Sequence, residues 1–182
     1  DGEKVSIIVI SPGYREYNHD LHSVVKRAKK ENIVIITASD TKNKINSETR
    51  YPENFDEVIS VGAWREKNSV VSLETTDTDL FVLDGDTLTT YYDGTLTSVK
   101  SSAFPAYQAA GAIALLIEEY MCLVNESPTA NSICKMIQNH TEKYDNGFNT
   151  VPVLNLSHQS ASDKSLMYKN INRLLGCFQE VR

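Results

Sequence analysis

The sequence predicts an α/β fold, a parallel sheet with helices on both faces, and three observations predict it. Residues 5–10 and 33–38 are two short runs of β-branched residues, apolar almost throughout, the composition of strands buried on both faces. Between them lies a segment of helical period. Strand, helix and strand at this spacing make a right-handed crossover, which sets the two strands parallel.

Each element can then be justified in chain order. Ser11-Pro12-Gly13 ends the first strand. In the helix that follows, Leu21, Val24, Val25 and Ala28 fall at i, i+3, i+4 and i+7, and Asn18 or Asp20 can cap its start. Lys26, Arg27, Lys29 and Lys30 close its last turn, where cations offset the helix dipole, and read as a solvated face. Asp40 to Arg50 is a polar loop, and residues 58–64 form a third apolar strand. Residues 69–100 alternate Thr, Asp, Ser and Tyr with Val and Leu, which predicts hairpins, with Leu80-Phe81-Val82-Leu83 joining the sheet. Residues 106–122 are apolar nearly all round, with Gly111 among alanines, and predict a buried helix packed closely on the sheet. Ser127-Pro128 offers a cap and a first-turn proline to another helix running to Gln138, with Ile133, Met136 and Ile137 inward. From Ser157 onward Leu166, Ile171, Leu174 and Leu175 give a weak helical pattern, so residues 158–182 are expected to be a helical extension.

Composition narrows the function classes. With 182 residues the chain can bury about 70% of the surface its unfolded form exposes and needs no disulfide or metal staple. Its 18 Lys+Arg against 24 Asp+Glu leave a net charge of -6, which argues against a nucleic-acid or anionic-membrane partner. No run approaches the 18 or so apolar residues of a membrane span. Cys122, Cys134 and Cys177 contain no CxxC and are expected to be free, mostly buried thiols. Asn125-Glu126-Ser127, Asn139-His140-Thr141 and Asn155-Leu156-Ser157 match the glycosylation pattern, which is too short to decide a compartment. His19 and His22, at i, i+3, could offer two ligands to a metal, but no third is visible, and surface or capping roles fit them better. Asp77, Asp79, Asp84 and Asp86 lack the spacing of a calcium loop and read as turn chemistry. Neither GxGxxG nor GxxxxGK[ST] occurs, and no cofactor is expected.

Four segments in a fixed order carry a more specific signal. Tyr51, Pro52, Val58, Ile59, Val61, Gly62 and Ala63 match the "YP…(A/P)xVIxVGA" stretch that leads into a core strand of the subtilisin-like serine peptidases. Residues 32–41 resemble that family's "GVVVVAAAGN" strand and loop, and residues 5–13 its "VINMSLGG" segment. Residues 101–116 have the length and apolar helix of "GTSMASPHVAGAAAL", and Val153-Leu154-Asn155-Leu156 lies near the "GxGxINV" close. The resemblance covers roughly residues 5–157 and implies the C-terminal half of a subtilisin-like fold, with 1–157 as one unit.

The departures are equally informative. The family's nucleophilic Ser falls at Ala103, and a methyl group cannot attack a carbonyl. The flanking Gly and Thr become Ser101 and Ser102, the Pro becomes Tyr107 and the His becomes Gln108. The oxyanion-hole Asn falls at Thr41, with Asp40 before it, and loss of one such donor typically costs about 100 to 1,000-fold. The family's catalytic Asp and His precede the segment matched by residues 5–13; His19 and His22 follow it and do not match.

The resemblance therefore implies a pseudoprotease that binds peptide or protein without cutting it, as inactive relatives in bacterial spore germination act as regulators. A bound chain would lie along Ser11, Pro12 and Gly13, with a side chain entering a pocket bounded by Ala38 and Ser39. The alternative is one processed chain of an active serine endopeptidase in which Ala103 is an inactivating replacement of Ser; Thr41, Ser101, Tyr107 and Gln108 weigh against it. A strand-like run opening at Val5 with almost no lead-in leads to the expectation of a fragment. Such a fragment would pair with a missing N-terminal half, a second copy or another protein chain. The family favours a secreted or extracytoplasmic setting.

Overall fold

The structure is a computed structural model that describes residues 5–11, 13–39, 50–64, 78–83, 87–99, 101, 103–145 and 150–154. Among these, the strands β1 (Ile7–Ile10), β2 (Val34–Ala38), β3 (Ile59–Trp64) and β4 (Leu80–Leu83) lie side by side and parallel. The hairpin β5 (Thr87–Thr90) and β6 (Leu96–Val99) stands apart as a two-stranded antiparallel sheet. The final strand, β8 (Thr150–Leu154), adds parallel to β4, and β7 (Thr141–Asp145) closes the sheet antiparallel to β8. The order is β1-β2-β3-β4-β8-β7. Strand β7, Thr-Glu-Lys-Tyr-Asp, has too little apolar character to be read from sequence and exists because β8 offers it an edge.

Three helices cover the sheet: α1 (His19–Lys30), α2 (Phe104–Val124) and α3 (Ala130–Asn139). Alternation along β2 sends its side chains to opposite faces. Val34 and Ile36 join Ile113, Ile117, Ile133 and Ile137 of α2 and α3 in the larger core, whereas Ile35 joins Val25 of α1 with Phe55 and Val58 in a smaller one. Helices on both faces of a parallel sheet are thus present as expected.

Helix α1 starts where Asn18 Oδ1 accepts from Leu21 N at 2.9 Å, so Asn18 and not Asp20 is the cap. It ends in a Schellman turn: Asn32 has φ 59°, its N–H donates to Lys29 O, and Ile33 N donates to Ala28 O. Val24 is exposed, because only Leu21, Val25 and Ala28 of the predicted stripe reach the smaller core. Helix α3 begins two residues beyond Ser127-Pro128, capped by Thr129, whose Oγ1 accepts from Ser132 N.

Several expectations are corrected by the structure. Strand β1 is apolar enough for double burial but ends the sheet, so Ile8 is exposed and its neighbours are half-buried. Helix α2 buries Ala106, Ala109, Ile113, Leu116 and Ile117 but exposes Tyr107, Leu115 and Met121, so it is covered on one side only. It is also long and apolar enough to cross a bilayer, unlike the sequence expectation, yet here it lies on the sheet. The close approach sits at Gly62 and not at Gly111: a Cβ on Gly62 would meet Phe81 Cε1 at 2.8 Å, while one on Gly111 would meet nothing within 4 Å. Finally, Cys122 and Cys134 form no disulfide among the described residues and are exposed, not buried, and Cys177 lies outside the described residues.

Candidate functional site

Of the predicted peptide surface, Ser11, Gly13, Ala38 and Ser39 are described, and they lie at or just beyond the C-terminal ends of β1 and β2. Strands β1 and β2 pair in register from Ile7 with Val34 to Ile10 with Thr37, so Ser11 and Ala38 leave the two strands side by side at their C-terminal ends. This is the edge at which open parallel sheets bind ligands. Thr37 Oγ1 donates to Ile10 O at 2.7 Å and ties the two strand ends together. Ser39 is buried: its N–H donates to Val61 O, and its hydroxyl pairs with that of Thr78 at 2.8 Å. Gly13 is exposed and precedes an isolated bridge between Tyr14 and Tyr51. Pro12, Asp40, Thr41 and Ser102 lie outside the described residues, as does the 158–182 extension.

Asn32 Oδ1 accepts from Ala130 N at 3.2 Å, which places the start of α3 beside the entrance to β2, at the N-terminal edge of the sheet. Residues 125–129 alone separate α3 from α2, whereas α2, with 21 residues, rises about 32 Å. Helix α2 therefore ends near the N-terminal edge, and its head, at Ala103, lies a helix length away.

The head of α2 carries no free amide in its first turn. Ala103 N donates to Ser101 Oγ, Phe104 N to Ser101 O and Ala106 N to Ala103 O, each at 3.2 Å, and Pro105 has no N–H. Ala103 sits in helical geometry, φ -81° and ψ -26°, with no side-chain cap. A helix start usually offers donors to an incoming negative charge. Here they are already taken.

A second constellation was not legible in the sequence. His22, in the first turn of α1, stacks on Phe55 with ring centroids 4.0 Å apart and planes 4° from parallel. Its Nε2 lies 2.9 Å from Glu57 Oε2, and its Nδ1 pairs with the Tyr17 hydroxyl. Desolvation raises the pKa of the Glu57 carboxyl, but the hydrogen bond and charge of His22, with help from Lys26, outweigh it and hold the group below its ordinary 4.5. Tyr17 in turn meets His19, Tyr51 and Phe55 edge-on. His19 and His22 at i, i+3 were the visible half of this arrangement; Glu57, 35 residues away, was not. No group of three metal-binding side chains exists among the described residues. Of the four aspartates, Asp79 is described, and its Oδ2 accepts from both N and Oγ of Ser60.

A groove of about 660 Å³ lies next to this constellation and shares Glu57 with it. Ile33, Val58, Leu80, Ile133 and Ile137 are among its apolar lining residues.

Set against known proteins, the chain is similar to an intracellular serine protease of Paenibacillus polymyxa. The two are 31% identical over 119 residues, 63% of this chain and 36% of that protein. The chain spans little more than a third of that relative's length. No family model matches. The similarity agrees with the sequence resemblance at the level of a serine-protease relative and does not reach the catalytic status of this chain.

Proposed function

We propose that this chain is a subtilisin-like serine peptidase homologue that binds peptide or protein without hydrolysing it. The observation that carries the reading is the head of α2, where a methyl group stands at Ala103 and the surrounding amides are engaged with Ser101 and Ala103. Acyl transfer needs a nucleophile and donors aimed at the developing oxyanion. Neither is available at that helix start. In this reading the peptide lies along Ser11, Pro12 and Gly13, with a side chain entering a pocket bounded by Ala38 and Ser39, and residues 1–157 are the binding unit.

The same reading gives β1 a partner. β2 is its neighbour in the sheet, and Val5 and Ile8 are exposed along it. An apolar edge strand is a template for pairing with another chain. The partner is the N-terminal half of a peptidase domain or another protein that contributes a strand.

The test is an Ala103→Ser variant combined with the N-terminal half of the related protease and exposed to a fluorophosphonate probe. No labelling is expected, because Ser101 still occupies the amide at 103. Labelling at 103 would instead establish the chain as part of an active endopeptidase. Binding is checked separately: a peptide library should contain members that raise the melting temperature of the full chain, and a library in which none does would remove the peptide-binding reading.

A further inference from the structure

The Tyr17–His22–Glu57 constellation has the connectivity of a proton relay. When the imidazole is neutral its single proton lies on Nε2, because an ionised Glu57 can only accept, and Nε2 donates to Oε2 at 2.9 Å. That leaves Nδ1 as an acceptor, and the Tyr17 hydroxyl donates to it. The order is phenol, imidazole, carboxylate: a hydroxyl nucleophile, a base within hydrogen-bond reach and a third group that orients the base. The base is further held by its stack on Phe55, and the phenol by edge contacts with Tyr51 and Phe55. His22 and Glu57 side chains are each 17% exposed, while Tyr17 is 43% exposed. The two inner members are sheltered and the reactive one is open.

We infer that Tyr17 is a base-activated nucleophile that accepts acyl groups from activated esters. In the acyl-transfer step the phenolic proton of Tyr17 passes to His22 Nδ1 as the phenolic oxygen bonds to the ester carbonyl carbon. The bond from that carbon to the leaving oxygen breaks, the alkoxide or aryloxide departs with its electron pair, and the imidazolium formed is stabilised by Glu57. The imidazolium proton then goes to the departing oxygen or to water, leaving O-acyl-Tyr17 and neutral His22. The site is separate from Ala103 and does not depend on the peptide-binding reading.

The chain contains its own reference group. Tyr92, in the hairpin turn, is 88% exposed and shows a ring contact with Tyr91, and among the described residues it makes no contact with a histidine. If exposure alone governs reactivity, Tyr92 reacts faster; if the relay does, Tyr17 does. The full chain is treated with p-nitrophenyl acetate, and acetylation at each tyrosine is followed by peptide mass spectrometry. Tyr17 is expected to react at least about ten times faster than Tyr92, and His22→Gln to lower the Tyr17 rate by about 100-fold, the lower range for loss of a general base. The Tyr92 rate should stay unchanged in that variant, which reports an intact fold. A faster Tyr92 in the unaltered chain, or a Tyr17 rate indifferent to His22→Gln, overturns the inference and leaves the three residues as a structural clasp. Should His22→Gln fail to fold, the Tyr17 to Tyr92 ratio in the unaltered chain decides the matter alone.

Discussion

The two faces of the sheet are held by different means. On the α2 and α3 face a continuous apolar cluster runs from Val34 and Ile36 through Ala106, Ala109 and Ile113 to Ile133 and Ile137, with no charged member. On the α1 face the cluster is small, Val25, Ile35, Phe55 and Val58. There, polar clasps add to it: His22 with Glu57, and Lys29 Nζ donating to Asp56 O at 3.1 Å. Apolar burial scales with area and is indifferent to pH, whereas the clasps are directional and depend on ionisation. The first face sets the stability of the fold, and the second gives it an acid-sensitive and chemically furnished side.

The sharpest test of this contrast is Ile113→Ala. Ile113 is fully buried in the larger cluster, and its truncation should cost about 2–5 kcal/mol by urea denaturation. A cost below about 1 kcal/mol would mean that the α2 face is not the stabilising one.

Next in size is Gly62→Ala. Gly62 pairs across strands with Phe81, whose ring lies against the place a Cβ would fill, so the variant should lose about 1–3 kcal/mol. Gly111→Ala should do the reverse and gain about 0.5–1 kcal/mol, since the new methyl meets nothing and helix propensity improves. Equal effects at the two glycines would contradict the packing described for α2.

The smallest effect tests the α1 side through pH. The folded carboxyl of Glu57 is held below its ordinary 4.5, so its contribution is complete above that value and is lost as pH falls through the lowered folded one. The stability difference between the unaltered chain and Glu57→Gln should therefore be constant near neutrality and narrow on acidification below about 4.5. A difference that does not change across that range would show that the clasp with His22 does not form.

Local signals were legible where a residue acts on its own neighbours. Asn18 as a cap and the β-branched runs of β1 and β2 depend on adjacent residues alone. Ala103 was visible because it stands in a motif of fixed order. Glu57 beside His22 was not, since the pair meets only when the segment after Arg50 folds back beneath α1. Nor was the occupied head of α2, which depends on how Ser101 turns toward Ala103.

By itself the sequence determined the α/β class, the parallel direction of β1 and β2, and the methyl group at Ala103, because periodicity, crossover handedness and residue identity are properties of the chain. Only the tertiary structure decided which apolar surfaces stay open. The continuous apolar runs of β1 and α2 look alike to the end from sequence, yet one lies at the sheet's edge and the other is covered on a single side. Burial is a property of what lies opposite, and no run of residues encodes its own neighbour across the sheet.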